Sequence, residues 1–308
     1  MEKIDPEKTA RQVLDACADC DVCRFLMDTS CLFFPELYRL YDQEMEGRKP
    51  ITSEELRRLV DLCNFCGQCS CPNIRAGIIE AKTQFIERDG LKFGVRTIED
   101  VERVAKLGGA FPALTNALFR AKTSGSLLKA ALGIHPSRRM PRFPQESFLD
   151  WARKNNLTIK GGKNSPRKVA EHTYDLGEYL AYLHRKGALA TDFRPVPGRL
   201  VYYPPCHLRE QEIGTPYVDL LKLIPGINLE TIQGRFYCCG LGGIMGFKRE
   251  FHETSVQLGG DLMKKIRELN PERLVTDCLS CRMQFNQLLP VEVVHPVEIL
   301  RESYSSDF

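Results

Sequence analysis

Three groups of cysteine decide how this chain reads: Pro204-Pro205-Cys206-His207, Cys238-Cys239-Gly240 and Cys278-Leu279-Ser280-Cys281. Thirty-one residues separate Cys206 from Cys238, and thirty-seven separate Gly240 from Cys278. Successive side chains diverge, so two adjacent cysteines are not both ordinary core residues. A disulfide framework suits secreted chains, and nothing else here reads as secreted. Soft thiolates grouped on loops suit iron–sulfur chemistry or zinc. Five thiolates exceed what one tetrahedral zinc needs.

Each group follows a candidate strand. Arg199-Leu-Val-Tyr-Tyr203 precedes Cys206, Leu229-Glu-Thr-Ile-Gln233 precedes Cys238, and Arg273-Leu-Val-Thr276 precedes Cys278. Helical stretches alternate with them. One starts at Thr215-Pro216 and runs to about Ile224, and another covers Arg249 to Leu269 with Gly259-Gly260 as an interruption. Alternating strands and helices imply a parallel sheet, whose ligands bind beyond the carboxyl ends of the strands. The three groups are therefore expected on one sheet edge.

Pro205-Cys206-His207-Leu208-Arg209, Leu223-Ile224-Pro225-Gly226, Cys239-Gly240-Leu-Gly-Gly243 and Asp277-Cys278-Leu-Ser-Cys281-Arg282-Met283 complete the pattern. Over about residues 196–300 this resembles the cysteine-rich CCG domain of heterodisulfide reductase B subunits and of the C subunit of anaerobic glycerol-3-phosphate dehydrogenase. The resemblance implies that Cys206, Cys238, Cys239, Cys278 and Cys281 hold a third iron–sulfur cluster, of the non-cubane [4Fe-4S] kind, with zinc as the alternative. Cys238, Cys239 and His207 are its catalytic candidates. Gly240, Gly242 and Gly243 let backbone N–H groups approach the cofactor. His295, after the strand Val291-Glu-Val-Val294, is expected at the same edge. Arg209, Arg282 and Lys248 are candidates to balance its charge.

Two further runs stand near the N-terminus: Cys17-Ala-Asp-Cys20-Asp-Val-Cys23 with Cys31, and Cys63-Asn-Phe-Cys66-Gly-Gln-Cys69-Ser-Cys71-Pro72. In two-cluster ferredoxins the fourth ligand of one cluster comes from the other run and precedes proline. That rule assigns Cys17, Cys20, Cys23 and Cys71 to one [4Fe-4S] cluster, and Cys63, Cys66, Cys69 and Cys31 to a second. Cys31 and Cys71 depart from the usual gap, which leaves Cys31 open as a free thiol beside Leu32, Phe33 and Phe34. Four, four and five account for all 13 cysteines. A helix over Glu7–Ala16, a capping box at Thr52-x-x-Glu55 and a helix after Pro72 surround these loops. This resembles the α-helical ferredoxin module of heterodisulfide reductase C subunits.

The expected fold is α+β: an α-helical ferredoxin module over 1–93, a helical connector over 94–160, and an α/β cysteine-rich CCG domain with a small parallel sheet over 161–308. The connector reads as a layer on the ferredoxin module or as a docking face, with Arg120, Lys122 and Lys129 beside apolar residues. Arg138, Arg139 and Arg142 read as a solvated basic loop, and His135 as a turn residue. A Gly/Lys-rich turn over 158–170 marks a boundary, followed by a helix over Val169–Lys186. In the related dehydrogenase subunit a first cysteine-rich half stands here, and this chain passes directly to one. That leaves an open side for a partner or a second copy.

The chain has 308 residues and a net charge of +3. No leader, membrane-length apolar run, Walker loop, dinucleotide fingerprint or basic stripe interleaved with aromatics stands out, so nucleic acid is not an expected partner. The resemblance implies a cytoplasmic electron-transfer subunit, peripheral on the inner face of a membrane, working with a flavoprotein subunit and another CCG or membrane subunit. Its acceptor is a quinone or a thiol/disulfide. A heterodisulfide-type reductase and an assembly subunit with structural zinc are the alternatives.

Overall fold

A computed structural model describes residues 5–28, 30–69, 71–155, 173–234, 237–243 and 245–304. The 158–170 turn and the first part of the expected 169–186 helix lie outside them. The N-terminal part is helical: α1 Pro6–Cys20, α2 Cys23–Leu26, α3 Phe33–Met45, α4 Ser53–Asp61 and α5 Pro72–Asp89. Local signals set their ends. Asp5 accepts from Lys8 N at the start of α1, and α5 begins on Pro72, whose missing N–H costs nothing there. At α4, Thr52 Oγ1 accepts from Glu55 N and Thr52 N donates back to the Glu55 carboxylate. Leu14, Leu37, Leu59, Ile78 and Phe85 bury the apolar faces of these helices together. The cysteine loops lie between α1 and α2 and between α4 and α5.

Four helices follow: α6 Phe93–Glu99, α7 Val101–Ala110, α8 Pro112–Arg120 and α9 Lys122–Ala131. They pack serially, and Leu107, Phe111, Leu114 and Leu127 face solvent. After α9 the chain joins the C-terminal part. Ile134 bridges Lys248 antiparallel, and His135 N donates to Phe247 O at 2.9 Å. His135 stacks on His252 with ring centres 3.7 Å apart, more than a turn residue would do. Then come α10 Phe148–Lys154 and α11 Leu176–Arg185.

The C-terminal part is built on four parallel strands: β1 Gly198–Tyr202, β2 Ile227–Thr231, β3 Arg273–Val275 and β4 Glu292–Val294, in the order β2-β1-β3-β4. Between and after them lie α12 Cys206–Gln211, α13 Pro216–Lys222, α14 His252–Leu258, α15 Gly260–Leu269, α16 Leu279–Leu288 and α17 Pro296–Tyr304. Both faces are covered, as a parallel sheet requires. Leu200 and Tyr202 point to α11, α13 and α17, while Val201 and Tyr203 point to α15 and α16. The sheet and its helices beside an all-helical unit make the chain α+β. Expected and observed strands overlap, with β2 starting two residues before Leu229. The expected 249–269 helix is divided at Gly259, and its first turn is a 3-10 turn over Arg249–Phe251. Among the described residues, no helix is long and apolar enough to cross a membrane.

Candidate metal centres

The sheet brings the three C-terminal cysteine groups together. Cys206 opens α12 just beyond β1, and Cys278 precedes α16 just beyond β3, the neighbour of β1. Cys238 and Cys239 return from the loop after β2. Cys238, Cys239 and Cys281 are buried. The Cys281 thiol donates to Cys239 Sγ at 3.3 Å, and Gly240 N donates to Cys238 Sγ at 3.3 Å. Gly240 holds φ at +85°, and a Cβ there would land on Ser255 O. Only glycine makes that close approach without strain.

The electrostatics of these sulfurs differ. Hydrogen bonds from Cys238 and Cys281, with the Leu241 N–H, hold the Cys239 thiol well below its ordinary range. Cys278 falls to about 5, first through Cys281 and then through His207. Burial pushes Cys206 up to about 11, helped by the charge of Cys239 and Cys278. Interaction with the Cys278 sulfur raises the His207 imidazole pKa. Donor atoms of His207, Asp175 and Asp277 lie within 4.8 Å of one another. Burial lifts Asp277 to about 6, and Tyr202 donates to it at 3.2 Å. His295 takes a different role: Nδ1 accepts from Val297 N at the head of α17, and the ring packs edge-on against Tyr217.

In the N-terminal unit, burial pushes the Cys17 thiol up to about 12, and the charges of Cys23, Cys71, Cys69 and Cys20 add to it. Cys31 rises to about 12 by burial, with Cys66 and Cys63 as its sulfur neighbours. Cys69 feels Cys63 and Cys66 before Cys23. Cys20 and Cys71 are exposed. Grouped thiols that raise one another this way resist ionisation alone. Cationic iron or zinc removes that cost, because metal ligation requires the thiolate. The donor sets therefore fit metal centres.

The second N-terminal loop touches the C-terminal site directly. Asn64 Nδ2 lies 3.6 Å from Cys238 Sγ, and Arg209 Nη2 donates to Cys66 O at 3.1 Å. Arg75 pairs with Glu210 at 2.7 Å, and a Cβ on Gly242 would approach Asn64 Cβ to 2.7 Å. Phe65 takes a left-handed φ of +52° to turn this loop. A cavity of about 530 Å³ opens beside it, reaching Cys63, Asn64, Gly242 and Met245. Of the three candidate cations, Arg209 faces Cys206 and Cys66. Arg282 pairs with Glu298, and Lys248 lies over the Phe251 ring.

Two site residues escape a reading of the sequence. Asn64 sits inside a cysteine run and carries no signal of its own. Arg138 was expected in a solvated loop and is instead 1% exposed. The bridge at Ile134 turns its side chain inward, where Gly246, Gln284 and Ser255 satisfy it.

Residues 200–286 match the family model described as a cysteine-rich domain, CCG. The C subunit of anaerobic glycerol-3-phosphate dehydrogenase from Escherichia coli (strain K12) is 33% identical over 110 residues, covering 36% of this chain and 27% of that protein. The B subunit of fumarate reductase (CoM/CoB) from Methanothermobacter marburgensis is 31% identical over 153 residues, 47% of this chain and 30% of that protein. Lactate utilization protein A 1 from Bacillus mycoides is 28% identical over 163 residues, 51% and 60% of the two chains. The chain thus spans 27% and 30% of the length of the first two relatives. No solved structure matches it. The chain carries a cysteine-rich CCG domain and is homologous, at modest identity, to the C subunit of anaerobic glycerol-3-phosphate dehydrogenase and to the B subunit of the CoM/CoB fumarate reductase.

Proposed function

We propose that the chain is an iron–sulfur electron-transfer subunit of a multi-subunit oxidoreductase. It works between a flavoprotein partner and a quinone or thiol/disulfide acceptor. The observation that carries this reading is the contact of the Asn64–Cys66 loop with Cys238 and with Arg209, beside Cys206, which joins two sulfur sites through a few atoms. Two [4Fe-4S] clusters, on Cys17, Cys20, Cys23, Cys71 and on Cys31, Cys63, Cys66, Cys69, with a third iron–sulfur centre on Cys206, Cys238, Cys239, Cys278 and Cys281, would supply one-electron transfer.

The chain's own residues prepare these sites. Asn64 and the Gly240 N–H place donors on the Cys238 sulfur, which favours added negative charge there. Arg209 sets a cation between Cys66 and Cys206. Relatives named as subunits support assembly with partner subunits. Separate apolar cores before residue 93 and after residue 160 support an N-terminal and a C-terminal unit. The connector supports a peripheral place on a membrane's inner face, because residues 103–145 contain no Asp or Glu and expose Leu107, Phe111 and Leu127. Pairing with another CCG subunit or a second copy is part of the same reading.

A second reading, a thiol–disulfide reductase, is favoured by one observation. His207 groups with Asp277 and Asp175, their donor atoms within 4.8 Å of one another, beside Cys278, an arrangement able to hold a proton beside the site. Iron and labile sulfide in anaerobically purified protein, with EPR of both redox states, decide among the readings. About twelve irons per chain are expected, falling to about eight in Cys239→Ser with the other two signals intact. About eight irons with one zinc in the unaltered protein overturn the redox role of the C-terminal site. A third-site spectrum changed by a disulfide substrate selects the reductase.

A further inference from the structure

Arg138 heads the fully buried side chains by volume. It comes from the connector, outside residues 200–286, and enters the CCG core beside the Ile134–Lys248 bridge. Its Nε donates to Gly246 O, Nη1 to Gln284 Oε1, and Nη2 to Ser255 Oγ at 2.9 Å. All three acceptors are neutral. A guanidinium stays charged inside a protein, and a buried charge without a counter-charge is costly. Among the described residues no carboxylate is ion-paired with it; burial lowers its pKa to about 10, and the charge of the Cys239 sulfur acts the other way.

The packing explains the reach. Ser255 holds Arg138 with its hydroxyl, and its carbonyl lies against Gly240, the residue after Cys239. A Cβ on Gly246 would meet both the Ser255 hydroxyl and Arg138 Nη2, the latter at 2.9 Å, so glycine there keeps the guanidinium's space open. Gln284 ties the same hydroxyl to α16, the helix that carries Cys281. One serine thus separates the cation from the Cys239–Gly240 turn.

We propose that Arg138 is the counter-charge of the Cys239 site, a positioning residue by which the connector raises the reduction potential of the iron–sulfur centre held there. The inference rests on the iron–sulfur reading above. Reduction adds negative charge, and a fixed cation in a dry interior stabilises the reduced form more than it would in water. Arg139 supplies the contrast: it is exposed and donates to Asn286 O.

The test is an EPR-monitored redox titration of the full chain, with iron and sulfide counted in every sample. Arg138→Gln is expected to keep its iron and to show an about tenfold lower ratio of reduced to oxidised third centre at fixed potential, about 59 mV for a one-electron couple. Arg138→Lys keeps the charge and stays near the unaltered value. Ser255→Asp neutralises Arg138 without removing it and shifts the ratio the same way as Arg138→Gln. Arg139→Gln leaves it unchanged. An unmoved midpoint in Arg138→Gln and Ser255→Asp reduces Arg138 to a structural bolt and overturns the proposal. If Arg138→Gln loses iron, the other two variants decide: a lowered Ser255→Asp with an unmoved Arg138→Lys supports it, and any other pair overturns it. Absence of iron at the third site of the unaltered protein is a separate result, and it defeats the functional reading itself.

Discussion

Cys17, Cys20 and Cys23 meet across the junction of α1 and α2, whereas Cys206 and Cys278 meet only because β1 and β3 are neighbours in a sheet, with Cys239 returning from the loop after β2. The first arrangement is local. Its spacing places Cys17, Cys20 and Cys23 in one another's field, Cys71 and Cys69 join from the loop between α4 and α5, and Cys20 and Cys71 stay at the surface. The second is assembled from segments more than thirty residues apart and is closed over by Arg138, Ser255 and Gln284. Local spacing specifies a site that survives damage elsewhere. A site made by topology fails with the sheet that makes it.

Phe285→Ala presses hardest on that difference. Phe285 is fully buried and stands edge-on to Tyr203, with ring centres 5.4 Å apart. Its loss is expected to cost about 3–5 kcal/mol. Denaturant titration read by circular dichroism, with iron spectra alongside, should show the C-terminal site failing first. Simultaneous loss of the N-terminal iron would break the comparison.

Gly240→Ala should cost about 1–3 kcal/mol in backbone strain alone, since φ is +85°. Its expected signature is selective loss of third-site metal, checked by iron counting. The acid limit comes next. Burial, then Arg138 and His135, lower the His252 pKa from 6.5 to about 4, against Glu253, which raises it. The unfolded chain therefore binds more protons between those values. Stability is full above pH 6.5 and declines as pH falls toward 4, by about 1–3 kcal/mol. Urea midpoints across that range measure it, and His252→Asn should flatten the slope. Smallest is Arg75→Ala. The Arg75–Glu210 pair is partly exposed, so less than about 1 kcal/mol is expected, and high salt should mask it. A larger effect would mean that the two units lean on each other more than their separate cores suggest.

What the sequence disclosed follows the same division. Thr52 with Glu55, Pro72 and Pro216 mark helix starts because their partners lie within four residues. The strands before Cys206 and Cys278 are legible because short apolar runs end at the cysteines. The strand order, with β1 in the centre, is not written in any one segment. Nor is the fate of Arg138. In a run of Arg138, Arg139 and Met140, local composition reads as solvent, and only acceptors 108 to 146 residues away reverse that. The connector illustrates the opposite error: its apolar spacing suggests a packed layer, yet Phe111 and Leu127 are exposed. Periodicity states which face is apolar and leaves unstated what covers it.

The contact between Arg209 and Cys66 spans 143 residues of chain. During synthesis at roughly 5–20 residues per second, Cys66 is made roughly 7–30 s before Arg209. For that interval Cys63, Cys66 and Cys69 lack the Arg209 and Glu210 side of their enclosure. On the proposed function, metal delivery to this loop would have a natural window on the ribosome, and so would oxidation of its thiols.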